Sequence, residues 1–159
     1  MPHGYELGHQ YVQADEDAAT STREPFSIDP NLVDRGLRGH ARTQNALAAF
    51  VGGAVRTPTT DEPQYDLAWR ESEVLYVAEV KSLTVANEER QLRLGLGQVL
   101  RYAHLLAERA INVQPVLAVE RRPSDASWTE LCNRLGVRLV WPPSFEQLYI
   151  PSHLEGSSR

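Results

Sequence analysis

The stretch Val74–Leu83, which reads VLYVAEVKSL, is the strongest strand pattern in the chain and decides how the fold is interpreted. Successive side chains of a strand point to opposite faces. One face is therefore predicted to hold Val74, Tyr76, Ala78 and Val80, and the other Leu75, Val77, Glu79 and Lys81. The second face ends in a carboxylate beside an ammonium group. A charged pair at the end of an otherwise apolar strand costs desolvation free energy, so it is expected to serve a purpose.

The segment before this strand places a second carboxylate near the pair. Residues 65–70 are predicted to form a strand and residues 71–73 a tight connection, so the two strands should form a hairpin. Pairing would then bring Asp66 across from the end that carries Glu79 and Lys81. Two carboxylates beside a lysine suit Mg²⁺, which takes oxygen ligands and keeps several waters. Such an ion activates water for phosphodiester hydrolysis.

The lysine itself is unusual in this composition. Lys81 is the only lysine among sixteen basic residues, and the other fifteen are arginines. Arginine is always charged, whereas the pKa of a lysine can be shifted by its surroundings. The alternative explanation is a codon bias that favours arginine and left one lysine by chance.

Helical and strand patterns alternate along the rest of the chain. Asp29 and Pro30 begin a helix that runs to about Val51, where Gly52 and Gly53 end it. The apolar stripe predicted for this helix is Val33, Leu37, Ala41, Leu47, Phe50 and Val51. Further predicted elements are a short strand at 54–56, helices at 88–109 and 128–135, and strands at 113–119 and 137–141. This order predicts an α/β fold with a mixed β-sheet flanked by helices.

Two local features qualify this prediction. Pro115 argues against a fully paired central position for the strand at 113–119, because proline has no N–H to donate. Cys132 is predicted to be a small core residue.

The length of 159 residues allows one compact domain. We predict an acidic N-terminal arm at 1–28, a domain at 29–151 and a C-terminal tail at 152–159. Residues 1–30 contain six acids and one base, which accounts for the net charge of −5, whereas the remainder holds fifteen of each. Residues 31–159 therefore carry no net charge that would repel nucleic acid. The arm could compete with DNA for a basic groove, bind a partner or simply be solvated.

Composition also excludes several classes of protein. One cysteine excludes an internal disulfide and a thiolate-cluster zinc site. No apolar run approaches the ~20 residues of a membrane span, and the N-terminus lacks the basic start and apolar stretch of a secretory signal. We therefore expect a cytoplasmic protein with no membrane partner.

Three sequence elements together resemble the PD-(D/E)XK nuclease superfamily, which has the restriction-endonuclease-like fold. They are Asp66, then Glu79-Val80-Lys81 on the next strand, then Gln98-Val99-Leu100-Arg101-Tyr102 on the following helix. The resemblance spans roughly residues 29–119 in the order of elements. The E-x-K and Q-x-x-x-Y elements match the family. The proline that commonly precedes the first acid directly stands three residues before it here, at Pro63.

The resemblance implies a restriction-endonuclease-like core and hydrolysis of DNA with Mg²⁺ or Mn²⁺ as cofactor. It implies that Asp66 and Glu79 bind the metal, with the Val80 carbonyl as a further ligand. It also implies that Lys81 serves the nucleophile and that Gln98 supports the site.

The first helix departs from the family pattern. Many relatives carry an acid there, whereas this chain offers His40 and Gln44, with Asp34 as the nearest acid. Whether the mechanism uses one metal ion or two is therefore left open.

Two arginine stripes at helical spacing are candidates for phosphate contacts, because guanidinium forks match phosphate geometry. His40 lies beside the first stripe. The alternative for each stripe is a solvated helix face. The candidate DNA-binding residues are Arg35, Arg38 and Arg42 on the first helix, and Arg90, Arg93, Arg101 and Tyr102 on the second.

The sequence thus predicts a metal-dependent DNA endonuclease, serving DNA defence, repair or mobile-element processing. It would act as a homodimer or as a subunit of a larger complex, because cleavage of both strands of a duplex needs two active sites. The alternative is a catalytically inactive module of the same fold that binds DNA or protein. RNA as the substrate also stays open.

Overall fold

The computed structural model describes residues 9–15, 29–110 and 112–150. Of the predicted acidic arm, only residues 9–15 are described, and their side chains are exposed. The rest of the arm, residue 151 and the predicted tail at 152–159 lie outside the described residues.

Four strands and three α-helices alternate along the described chain. Their bounds are α1 Pro30–Val51, β1 Leu67–Glu71, β2 Val74–Lys81, α2 Glu88–Leu106, β3 Val113–Val119, α3 Ser127–Arg134 and β4 Arg138–Val140, followed by a 3₁₀ helix at Phe145–Tyr149. The sheet order is β1-β2-β3-β4. The pair β1–β2 is antiparallel, and the other two pairs are parallel. The predicted α/β class, with a mixed sheet flanked by helices, is confirmed.

The β1–β2 hairpin sets the register of the candidate site. Its two turn residues, Ser72 and Glu73, both have positive φ, at 49° and 66°. Two positive φ values in a row are typical of the tight turns that join antiparallel strands. Leu67 pairs with Ala78, and the Asp66 N–H donates to the Ala78 carbonyl at 3.1 Å. Asp66 therefore lies just before β1, at the end where β2 finishes, as the hairpin predicts.

The side-chain alternation of β2 separates two hydrophobic cores. Leu75 and Val77 belong to a core that includes Leu92 and Val99 of α2. The opposite face of the strand contributes Tyr76, Ala78 and Val80 to a second core, which includes Leu47 of α1 and Phe145. Both faces therefore follow the predicted alternation, and Glu79 and Lys81 share the face that α2 covers.

The predicted apolar stripe of α1 is wrong for four of its six residues. The helix begins as expected, because the Asp29 side chain accepts a hydrogen bond from the Asn31 N–H. However, Val33 and Ala41 are exposed, Leu37 is 64% exposed, and Phe50 is also exposed. The residues that α1 buries are Gly39, Thr43 and Leu47. The reason is that the helix meets the sheet ends through glycines.

Several boundaries also differ from the prediction. The strand predicted at 54–56 is reduced to a single antiparallel bridge between Arg56 and Ala68. The first strand of the hairpin is shifted to 67–71, and β2 ends at Lys81 because the chain turns there toward α2. The α2 helix ends at Leu106, before the predicted 109.

Pro115 lies within a central strand without interrupting the sheet. It pairs with Val77 of β2, whereas pairing with β4 begins only at Val116. Proline is thus placed where only one neighbouring strand is paired. Cys132 is fully buried, as predicted. No helix among the described residues is long and apolar enough to cross a membrane.

Candidate active site

The Glu79–Lys81 pair is withdrawn from solvent at the end of β2. Lys81 Nζ lies 3.0 Å from Glu79 Oε1, and the two side chains are 15% and 7% exposed. Burying a charged pair costs desolvation of both groups, which mutual attraction only partly repays. A solvated surface pair would not be buried to this extent.

Asp66 joins the pair through the hairpin. Its Oδ2 accepts a hydrogen bond from the Val80 N–H at 2.7 Å and lies 3.2 Å from His40 Nε2. Both contacts use the same oxygen. Within the described part of the chain, no hydrogen bond to Asp66 Oδ1 is formed.

The surroundings of Glu79 shift the pKa of its carboxyl group. Burial raises the pKa of Glu79 to about 7, and repulsion from the Asp66 carboxylate adds to the rise, while Lys81 and His40 oppose it. Glu79 Oε2 is buried and has no hydrogen-bond partner in the described structure. A buried acceptor left unpaired is costly. A cation at this oxygen would remove that cost.

His40 is a site residue whose role the sequence did not reveal. Its hydrogen bond to Asp66 raises the pKa of the imidazole, and burial opposes the rise. Gly36 and Gly39 could have indicated this position, because glycines often mark the face of a helix that lies against another element. At about 100° per residue, His40 falls within about 40° of Gly36 on the helix. Asp34, the nearest acid on α1, is exposed.

The α2 helix closes the site because it approaches the sheet at Gly95. A Cβ added at Gly95 would lie 2.5 Å from Leu117 Cδ1 and 3.0 Å from Lys81 Cγ. A Cβ at Gly97 would meet nothing within 4 Å. Of the two glycines in this helix, only Gly95 makes room for the lysine side chain.

The Gln98 and Tyr102 side chains lie one turn apart on α2. Gln98 is partly buried, and its Oε1 is a second buried acceptor without a hydrogen-bond partner among the described residues. Burial raises the pKa of Tyr102, and the Glu79 and Asp66 carboxylates raise it further. The hydrogen bond to Gln98 opposes this rise.

The carboxylates near Lys81 are few for a metal site. Among residues 9–15, 29–110 and 112–150, no group of three or more His, Cys, Asp or Glu side chains is arranged to hold a metal ion. Mg²⁺ is commonly bound by one or two carboxylates and keeps several waters. Asp66 and Glu79 are the two carboxylates that such a site would use. The contact that Val80 makes here is through its N–H, and the predicted role of its carbonyl stays a prediction.

The predicted DNA-binding arginines differ in whether they already lie near a carboxylate. Arg90 and Arg101 are exposed on α2, and Arg93 pairs with Glu89 one turn away at 3.1 Å. On α1, Arg38 is exposed. Arg35 and Arg42, by contrast, both approach the carboxylate of Glu120.

Comparison with known proteins adds no relative. A scan of protein-family models, a search of curated proteins and a search of solved structures find no match to this chain. The resemblance to the PD-(D/E)XK superfamily therefore depends on the motif residues alone, and the chemistry of the site has to be argued from its own contacts.

The raised pKa of Glu79 predicts a pH-dependent stability of the metal-free protein. Between pH 4.5 and about 7, the folded state binds more protons at Glu79 than the unfolded state does. The free energy of unfolding should therefore fall as the pH rises through this window. We expect a fall on the order of 1–3 kcal/mol, and Glu79→Gln should remove most of it. Urea denaturation in EDTA at pH 5, 6 and 7.5 measures the effect.

Two features keep this comparison specific. His40, whose pKa is also raised, loses its stabilising contribution as the pH rises through its folded pKa. It therefore contributes in the same direction, and only the part removed by Glu79→Gln belongs to Glu79. Glu130→Gln, on the exposed face of α3, is the matched control and should retain the wild-type slope. Equal slopes in wild type and Glu79→Gln would contradict the buried charge.

The two glycines of α2 provide a second prediction. Gly95→Ala should lower the free energy of unfolding by about 1–3 kcal/mol, because Leu117 and Lys81 must move aside. Gly97→Ala should raise it by up to about 1 kcal/mol, because alanine is the better helix former and meets no neighbour. Urea denaturation of both variants measures the difference. Equal stability of the two would show that α2 does not approach the sheet at Gly95.

Proposed function

We propose that the protein is a metal-dependent nuclease that hydrolyses phosphodiester bonds of DNA, with Asp66, Glu79 and Lys81 at its reactive centre. One observation carries the proposal. The buried Glu79–Lys81 pair lies beside Asp66, and two buried oxygens, Glu79 Oε2 and Gln98 Oε1, have no donor in the described structure. Buried acceptors of this kind, next to a second carboxylate and an ammonium group, favour a cation site over a structural ion pair.

Each charged residue has a distinct role in this proposal. Asp66 and Glu79 hold Mg²⁺ or Mn²⁺, which when bound polarises the scissile phosphate and lowers the pKa of a water. The Lys81 ammonium orients the attacking water and offsets the negative charge that develops on the phosphate. Glu79 holds Lys81 Nζ in place for this task, and Gly95 leaves room for the lysine stem.

The neighbouring polar groups orient the acids. His40 and the Val80 N–H both engage Oδ2 of Asp66, so Oδ1 is the oxygen that serves as a ligand. Gln98 supports the site through its buried Oε1, which can accept a hydrogen bond from a water at the centre. A cation beside Glu79 also favours the ionised form of this carboxylate, against the effect of burial.

The finer fold assignment belongs to the same proposal. A restriction-endonuclease-like core is supported by the order of helix, hairpin, helix and strand, and by the elements on which the motif residues lie. Asp66 precedes the first hairpin strand, Glu79 and Lys81 end the second, and Gln98 lies on the next helix. We further propose a cytoplasmic enzyme of DNA defence, repair or mobile-element processing. Its partners would be DNA and a second subunit, either another copy or part of a larger complex.

A second candidate is a non-catalytic module that binds DNA or protein. It is favoured by the small acidic set, because no third acid of the described residues joins Asp66 and Glu79 in an arrangement that could hold a metal. The neutral charge balance of residues 31–159 provides no general attraction to DNA, which favours protein over DNA as the partner of such a module.

Cleavage of supercoiled plasmid with Mg²⁺ or Mn²⁺ tests the proposal. Asp66→Asn, Glu79→Gln and Lys81→Met should each lower the cleavage rate by about 10²-fold or more, because each removes a group that stabilises the transition state. Asp34→Asn changes an exposed acid of α1 and should leave the rate unchanged. Gel electrophoresis of nicked and linear products measures the rates, and a parallel reaction on RNA tests the other substrate.

Two results would contradict the enzyme. The first is cleavage that persists in Asp66→Asn and Lys81→Met, which would assign it to a contaminant or another site. The second is DNA binding with no metal-dependent cleavage, which would favour the binding module.

A further inference from the structure

A second charged cluster lies on the other flank of α1. Glu120 directly follows β3, and its N–H donates to the Lys81 carbonyl at 3.1 Å. Its Oε2 accepts a hydrogen bond from the Leu83 N–H at 2.9 Å. The Glu120 carboxylate is therefore fixed beside the C-terminal ends of β2 and β3, close to the candidate active site.

Gly39 lets this carboxylate lie directly against the backbone of α1. A Cβ at this position would be 2.8 Å from Glu120 Oε1 and 2.9 Å from Oε2. Arg35 lies four residues before Gly39 and Arg42 three residues after it, so all three share one side of the helix. The guanidinium Nη2 atoms of Arg42 and Arg35 lie 3.5 Å and 3.8 Å from Glu120 Oε1.

One carboxylate does not satisfy two guanidinium groups. Both separations exceed the ~2.7–2.9 Å of a charge-assisted hydrogen bond. Arg35 Nη2 also reaches the Leu83 carbonyl at 3.4 Å, but Arg35 Nη1 has no acceptor in the described structure. The Arg42 side chain is 74% exposed. The cluster therefore has more donors than acceptors and a net charge of +1.

The cluster opens onto a cleft of about 510 Å³. Arg35, Arg42 and Glu120 line it, together with Thr43, Ala46, Arg121 and Pro142. Arg121 is already paired with Glu88 at 2.9 Å. The positive charge left in the cleft therefore comes from Arg35 and Arg42.

We propose that this cleft binds a backbone phosphodiester of the nucleic acid, flanking the phosphate that is presented to Lys81. The single negative charge of a phosphodiester matches the net charge of the cluster, and guanidinium forks match its oxygens. Arg35 and Arg42 supply the donors. Arg38, which is exposed and has no ion pair among the described residues, stays outside the subsite. The inference rests on the proposed function and specifies which arginines contact the substrate.

Nucleic-acid binding in EDTA tests the subsite without cleavage. Fluorescence anisotropy with labelled duplex DNA and duplex RNA, at several salt concentrations, compares the wild type with Arg35→Gln, Arg42→Gln and Arg134→Gln. The first two should weaken binding about 5- to 10-fold. Each should also lower the slope of log affinity against log salt by about 0.9, since one phosphate contact is lost. Arg134→Gln, which changes an exposed arginine of α3, is the matched control and should bind within about twofold of the wild type.

The outcomes separate this inference from the proposed nuclease. Unchanged affinity in Arg35→Gln and Arg42→Gln, or an equal loss in all three variants, would overturn the subsite. Arg42 is exposed, so its variant is expected to fold, and thermal melting checks this. A loss specific to Arg35 and Arg42 without any metal-dependent cleavage would keep the subsite and reject the nuclease. Metal-dependent cleavage that is lost in Asp66→Asn but unchanged in Arg35→Gln and Arg42→Gln would support the nuclease and reject the subsite. The probe that binds more tightly identifies the source of the phosphodiester.

Discussion

Burial of the Glu79–Lys81 pair at the end of β2 is the constraint on which the rest of the structure depends. Withdrawing two charges from water costs several kcal/mol per ion unless neighbouring groups compensate. Among the described residues, compensation for Glu79 comes from Lys81 and His40, whereas the Asp66 carboxylate repels Glu79 and the approach of α2 at Gly95 encloses the lysine further. The compensation is incomplete at Glu79 Oε2, and this oxygen is the reason for assigning a cation to the site.

The α1 helix lies between the candidate active site and the Glu120 cluster, because its glycines let it pass close to the ends of the strands. A Cβ added at Gly36 would lie 3.6 Å from the Ser82 hydroxyl oxygen, and Gly39 lies against the Glu120 carboxylate. Glycines bring the helix close enough for its flanks to serve different sites. One flank carries His40 to Asp66, and the other holds the arginines near Glu120. If both proposals hold, a single helix orients the reactive acids and a neighbouring phosphate.

The sequence predicted what depends on local periodicity. The two-residue period of Val74–Lys81 predicted both faces of β2, and the short connection before it predicted the hairpin that aligns Asp66. Features that depend on how elements cross were not predicted. The exposure of Val33 and Leu37 follows from where α1 meets the sheet, and a periodic stripe does not contain that information. The pairing of His40 with Asp66 and the place of Glu120 depend on the same crossing.

The most direct test of the central claim is anomalous diffraction from crystals of the protein grown with Mn²⁺. One peak is expected, in contact with the carboxylates of both Asp66 and Glu79 and with Lys81 beside it. A peak only at other positions, or none while Lys81 remains paired with Glu79, would contradict this claim.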